Sequence, residues 1–191
     1  MMDIVQSSYL ISSPKVDGCP PPTLPEFAFI GRSNVGKSSL INMLCRHQGL
    51  AKTSATPGKT QMINHFSIQS RSSPRAKKLS PWYLVDLPGY GYAKVSQKNR
   101  KSWSSMIENY LRQRSNLRQI FVLLDSRHEP QKIDLEFINQ LGEWQLPFSM
   151  IFTKADKVKP GALQRHGAEL QKALQQTWEA LPPLFITSAT T

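Results

Sequence analysis

Residues 31–38 read Gly31-Arg32-Ser33-Asn34-Val35-Gly36-Lys37-Ser38 and match the spacing GxxxxGK[ST] in full. The aromatic-rich run Glu26-Phe27-Ala28-Phe29-Ile30 follows Pro20-Pro21-Pro22 and stops at Gly31, as a buried strand entering a tight turn does. Beyond the loop, Leu40, Ile41, Met43 and Leu44 recur at helical spacing from Lys37 to about Arg46. Strand, glycine loop and helix in succession are the context in which this motif binds phosphate. Its N–H groups converge on phosphate oxygens and the helix N-terminus adds partial positive charge. Lys37 reaches the terminal phosphates and Ser38 offers a hydroxyl to Mg²⁺. The plainer alternative is a chance glycine turn capped by Ser38, which the flanking strand and helix disfavour.

Met62 to Ile68 and Trp82 to Val85 read as strands joined across the basic, Ser-rich segment 70–80, short enough for an antiparallel pair. Then come a helix within 97–114, a strand at Ile120 to Leu124, a helix near 133–143, a strand at Phe148 to Phe152, a helix near 162–178 and a strand at Leu184 to Thr187. Alternating strands and helices predict an α/β, three-layer domain. The expected sheet has six strands, mostly parallel with one antiparallel, and helices on both faces. Residues 1–25 read as a loosely attached arm and 26–191 as the nucleotide-binding domain.

Asp86-Leu87-Pro88-Gly89 follows an apolar strand, where ligands bind in such sheets. Asp86 can hold Mg²⁺ through water, and the Gly89 N–H can approach a γ-phosphate with no Cβ in the way. Thr153-Lys154-Ala155-Asp156 follows another strand; a carboxylate there accepts from guanine N1–H and N2–H together, which adenine cannot offer. The Lys154 stem can lie along the base, and Thr187-Ser188-Ala189 brings a backbone N–H toward guanine O6. Taken singly, these are turn residues or an N-cap. Four such elements in order, each after a strand, point to GTP or GDP. The long connection Gln48 to Gln61 carries Thr56, Pro57, Gly58, Lys59 and Thr60, and Thr60 is the candidate to complete the Mg²⁺ shell. The nucleotide-binding candidates thus also include every loop residue from Gly31 to Ser39.

The 191 residues carry 24 Lys plus Arg against 13 Asp plus Glu, and the whole net charge of +11 lies before residue 116. It concentrates in Arg71, Arg75, Lys77 and Lys78, and in Lys94, Lys98, Arg100, Lys101, Arg112 and Arg114. A basic face suits a polyanion such as nucleic acid. Cys19 and Cys45 have no zinc or disulfide spacing, which suits a reducing compartment. No apolar run is long enough to span a membrane and no signal peptide precedes the domain, so a cytoplasmic monomer is expected.

Three motifs together resemble the translation-factor-related GTPases, and more closely the EngB/YsxC/YihA family of ribosome-biogenesis GTP-binding proteins. They are Gly31 to Asn42, Thr56-Pro57-Gly58-Lys59-Thr60-Gln61 and Asp86-Leu87-Pro88-Gly89-Tyr90-Gly91-Tyr92-Ala93, the last the most specific. The resemblance covers roughly 25–189. It implies a P-loop GTPase (G domain) acting in large ribosomal subunit assembly, with rRNA or ribosomal protein as partner. Lys37, Thr60, Gly89 and Asn34 would take part in hydrolysis, Asn34 by helping to hold K⁺. Tyr90 stands where many signalling GTPases place a water-orienting glutamine, so slow intrinsic turnover is expected. The family also continues into a final helix beyond the position of Thr191. A small-molecule kinase, a Ras-like switch and a nucleic-acid module on a degenerate scaffold are the alternatives.

Overall fold

The chain runs β1 (Asp3–Ser13), β2 (Glu26–Gly31), α1 (Lys37–Leu44), β3 (Ile63–Arg71), β4 (Ser80–Asp86), α2 (Gln97–Gln113), β5 (Leu117–Asp125), α3 (Lys132–Glu143), β6 (Phe148–Thr153), α4 (Pro160–Leu174) and β7 (Leu184–Ile186). The structure, a computed structural model, describes residues 2–52, 62–91 and 97–190, with the backbone alone for 97–100. One sheet has the order β1-β3-β4-β2-β5-β6-β7. Neighbours from β4 to β7 are parallel, and β3 is antiparallel to both β1 and β4. The reason is connection length: residues 72–79 join β3 directly to β4, whereas the parallel pairs need crossovers.

The sheet has seven strands where six were expected. Residues 3–13 are not a loose arm: they pair along β3 from Asp3↔Arg71 to Ser13↔Ile63, with two register shifts. This strand lacks the alternation that marks a half-buried one, since Val5, Tyr9, Leu10 and Ile11 are 39–55% exposed. It is held by backbone pairing at the sheet edge, which leaves no trace in hydropathy.

The central strands bury both faces. Ala28 and Ile30 point into one core with Ile107, Tyr110, Ile138, Leu141 and Leu170 from α2, α3 and α4. Phe29, between them, points into the opposite core with Leu40 and Ile41 of α1. Each buried Ile, Leu or Phe among them contributes roughly 1.5–3 kcal/mol. One polar cluster interrupts this packing. Glu26 is fully buried and receives the Tyr110 hydroxyl at 2.5 Å, Arg114 Nε at 3.1 Å and His65 Nε2 at 3.2 Å. It thereby ties the C-terminal part of α2 to β2 and β3.

Candidate functional site

β2 has β4 on one side and β5 on the other, so the chain changes direction across the sheet at the carboxyl end of β2. A crevice opens at such a point. Gly31 lies at its floor, where an added Cβ would come 2.6 Å from the Leu123 carbonyl oxygen. Asn34 and Gly36 turn the loop through left-handed backbone, with φ of 64° and 95°. The Leu40 N–H reaches the Gly36 carbonyl at 2.9 Å as the first bond of α1. The N–H groups of Lys37, Ser38 and Ser39 thus precede the helical ladder and are free to meet an anion. The Lys37 ammonium contacts the Asp86 carboxylate, with side-chain exposures of 11% and 4%. Burial pushes the Lys37 pKa down to about 7.

Asp86 ends β4, and the Leu87 N–H bonds the Phe29 carbonyl at 3.0 Å, which locks the turn to β2. Pro88 and Gly89 are buried behind it. Tyr90 forms an isolated parallel bridge with Arg32 of the phosphate loop. Both side chains reach the same carboxylate on α3: Arg32 Nε lies 3.0 Å from Asp134 Oδ1, and the Tyr90 hydroxyl donates to that oxygen at 2.8 Å. The Tyr90 ring stacks on Phe137 with centroids 4.3 Å apart. Burial raises the Asp134 carboxyl pKa, opposed by Arg32 and Tyr90. The phenol of Tyr90 is thus engaged by α3.

The base-reading side is built on β6. The Thr153 hydroxyl donates to the Val35 carbonyl at 2.5 Å, joining this strand end to the phosphate loop. Lys154 adopts a φ of 58° and its ammonium contacts the Asn34 carbonyl and, at 2.8 Å, Asp125. Arg127 grips Asp125 through Nε and Nη2 at 2.9 and 2.8 Å. Burial opposes ionisation of Asp125, but the bonds from Arg127 and Lys154 outweigh it and hold the carboxyl well below its usual range. The Ser188 hydroxyl donates to Asp156 at 2.5 Å and lowers that carboxyl's pKa. The Ala155 N–H bonds the Thr187 carbonyl at 3.2 Å. A cavity of about 230 Å³ is lined by Gly36, Ser39, Lys154, Asp156, Thr187 and Ala189 among others.

Residues distant in sequence therefore meet in the fold: the loop from Gly31 to Ser39 with Asp86, Thr153 to Asp156 and Thr187 to Ala189. Thr56, Pro57, Gly58, Lys59 and Thr60 lie outside the described residues. Sequence reasoning missed Asp125, Arg127 and Asp134. Asp125 carried a usable signal, because it ends an apolar strand as Asp86 does; Asp134 sits inside a helix and carried none. No group of His, Cys, Asp and Glu among the described residues is arranged to hold a metal by itself. No described helix is long and apolar enough to cross a membrane.

A family model described as 50S ribosome-binding GTPase matches residues 26–154. A probable GTP-binding protein EngB of Bacteroides fragilis is 54% identical over 188 residues, covering 98% of this chain and 89% of that one. The protein of the same description from Porphyromonas gingivalis matches to the same extent. Among solved structures, a probable GTP-binding protein engB is similar with a TM-score of 0.62 at 22% identity, over 86% of this chain and 89% of that one. Era, solved with MgGDPNP and nucleotides 1506–1542 of 16S ribosomal RNA, has a TM-score of 0.64 at 22% identity, over 86% of this chain and 51% of that one.

Proposed function

This chain belongs to the EngB family of GTP-binding proteins, within the 50S ribosome-binding GTPases, and from that premise we propose that it is a GTP switch acting in large ribosomal subunit assembly. The observation that carries the nucleotide-binding part is the meeting of the phosphate loop, with Lys37 on Asp86, and the Thr153–Asp156 and Thr187–Ala189 segments; the subunit part is supported by the family match. In this reading the phosphates lie on the N–H groups of the loop and of the first turn of α1, with Lys37 on the terminal oxygens. Asp156 accepts from the guanine ring nitrogens, Ser188 holds the Asp156 carboxylate in place, and Lys154 lies along the base. The Gly89 N–H faces the γ-phosphate.

The oxygen donors suit Mg²⁺. Ser38 opens α1 beside Lys37, and Lys37 touches the buried Asp86 carboxylate, so a hydroxyl and a carboxylate, both hard ligands, stand at the phosphate end. Ser38 and Thr60 would bind the ion directly and Asp86 through water; when bound it neutralises charge developing on the phosphate oxygens. Asn34 is proposed to help hold K⁺, and a GTPase rate equal in Na⁺ and K⁺ would remove that role. Slow turnover follows from Tyr90, whose hydroxyl is given to Asp134. A cytoplasmic monomer whose first basic residues after Gly89, Lys94, Lys98 and Arg100, outside the residues described with side chains, contact the subunit completes the reading.

Co-sedimentation with large ribosomal subunits tests it, using a non-hydrolysable GTP analogue, GDP or an ATP analogue. Binding favoured by the GTP analogue is the expected result. Tight GTP binding with no sedimentation in any nucleotide state would leave a GTPase with another partner.

A further inference from the structure

The β3–β4 hairpin tip, residues 72–79, carries Arg75, Lys77 and Lys78, all exposed. The nearby ion pairs, Arg46–Asp3 and Arg71–Asp3, leave these three cations unpaired among the described residues. The turn beneath them is fixed. The Ala76 N–H bonds the Ser73 carbonyl at 3.0 Å, Arg71 Nη1 donates to the Pro74 carbonyl at 3.2 Å, and Asp3 of β1 lies 3.3 Å from Arg71. β1 therefore steadies the tip through Arg71.

Position is the second observation. β4 runs from Ser80 at the tip to Asp86 at the nucleotide crevice, seven residues of extended strand. At about 3.3 Å per residue the tip stands roughly 20 Å from Asp86 at the crevice, at the opposite end of the strand. A paired, doubly packed strand lies between them, with Leu84 and Val85 at 1% and 0% exposure.

We propose that this tip is an RNA phosphate-backbone contact that works in both nucleotide states, and so anchors the protein while the loops at the crevice respond to GTP. The proposal rests on the ribosomal reading above. Protein interfaces draw their energy from desolvated aromatic and Arg anchors and are depleted in Lys. RNA contacts draw theirs from Lys and Arg neutralising phosphates with release of counterions, aided by hydroxyl donors. The tip offers two lysines, an arginine, Ser72 and Ser73, with Leu79 its single exposed large apolar side chain.

The test compares wild type, the triple variant R75Q/K77Q/K78Q and an equal-charge control, K132Q/R165Q/K172Q on α3 and α4. Binding to protein-free large-subunit rRNA is measured over a salt series with GDP and with a GTP analogue, and subunit sedimentation is run in parallel. The tip variant is expected to bind about tenfold more weakly in both states. Its slope of log affinity against log salt should be shallower by about 2, at roughly 0.7–0.9 per lost phosphate contact. The control should keep the wild-type slope, and GTP affinity should be unchanged in all three. Equal slopes for tip and control variants would overturn the proposal, as would a loss confined to one nucleotide state. Weaker subunit binding with unchanged rRNA binding would assign the tip to a ribosomal protein and also overturn it. Wild type that binds rRNA through the tip but never sediments with subunits would sink the assembly reading and leave the tip contact standing.

Discussion

Arg32 and Asp134, 102 residues apart in the chain, form an ion pair in which one guanidinium nitrogen lies 3.0 and 3.1 Å from the two carboxylate oxygens. Tyr90 donates to the same carboxylate, so one side chain of α3 joins the phosphate loop to the segment after Gly89, and Phe137 of the same helix stacks on the Tyr90 ring. Whatever shifts one of the two moves a group packed against the other.

Asp134→Ala is expected to lower GTP-analogue affinity about fivefold more than GDP affinity, because Tyr90 adjoins the glycine proposed to meet the γ-phosphate. Stability should fall by about 1–3 kcal/mol, the cost of unpairing a buried polar group, moderated by Arg32 being 25% exposed. Calorimetric titration and urea unfolding give both numbers. An equal loss for the two nucleotides would reduce Asp134 to a purely structural brace.

Asp125→Asn removes the charge that holds Lys154, which also touches the Asn34 carbonyl. We expect GDP and GTP to weaken together, by about tenfold, as suits a lost charge-assisted hydrogen bond of about 1.5 kcal/mol. Unchanged affinity for both would mean that the Asn34 contact alone suffices to place Lys154.

Asp156→Asn should exchange guanine for xanthine preference, since the amide can donate to the xanthine C2 carbonyl where the carboxylate accepted from the guanine amino group. A shift in the GTP-to-XTP affinity ratio of up to about 100-fold is the expected scale for exchanging a hydrogen bond to a charged group, worth about 1.5–3 kcal/mol. Retained discrimination would place the base elsewhere.

Glu26 governs acid sensitivity. Burial alone would raise its pKa, but the bonds from His65, Arg114 and Tyr110 prevail and bring it from an ordinary 4.5 to about 2. A depressed carboxylate contributes stability in full above its unfolded pKa and loses it as pH falls through the folded one. The window is therefore pH 4.5 down to about 2, and the contribution roughly 3 kcal/mol. Glu26→Gln should flatten the stability curve across that window and, by leaving Arg114 unpaired at 7% exposure, cost about 3 kcal/mol at neutral pH. Urea midpoints against pH decide it; an unchanged acid limb would transfer the effect to other carboxylates.

The strand, glycine loop and helix around Lys37, the alternation of the later elements, and the strand ends that carry Asp86 and Asp156 are all legible in the residues alone. Those features are local: a period of 3.6 or 2, a turn residue, a motif a few residues long, all written in neighbouring positions. That residues 3–13 complete the sheet is settled only by the fold, because an exposed edge strand is held chiefly by backbone pairing to β3, with few side-chain contacts such as Asp3 to Arg71. Tertiary structure alone chose Asp134 for Arg32 and Tyr90, Asp125 for Lys154 and Glu26 for Tyr110 and Arg114. Each of those carboxylates gains its role from charges and donors brought beside it by the fold from 29 to 102 residues away, and no spacing along the chain encodes such a meeting.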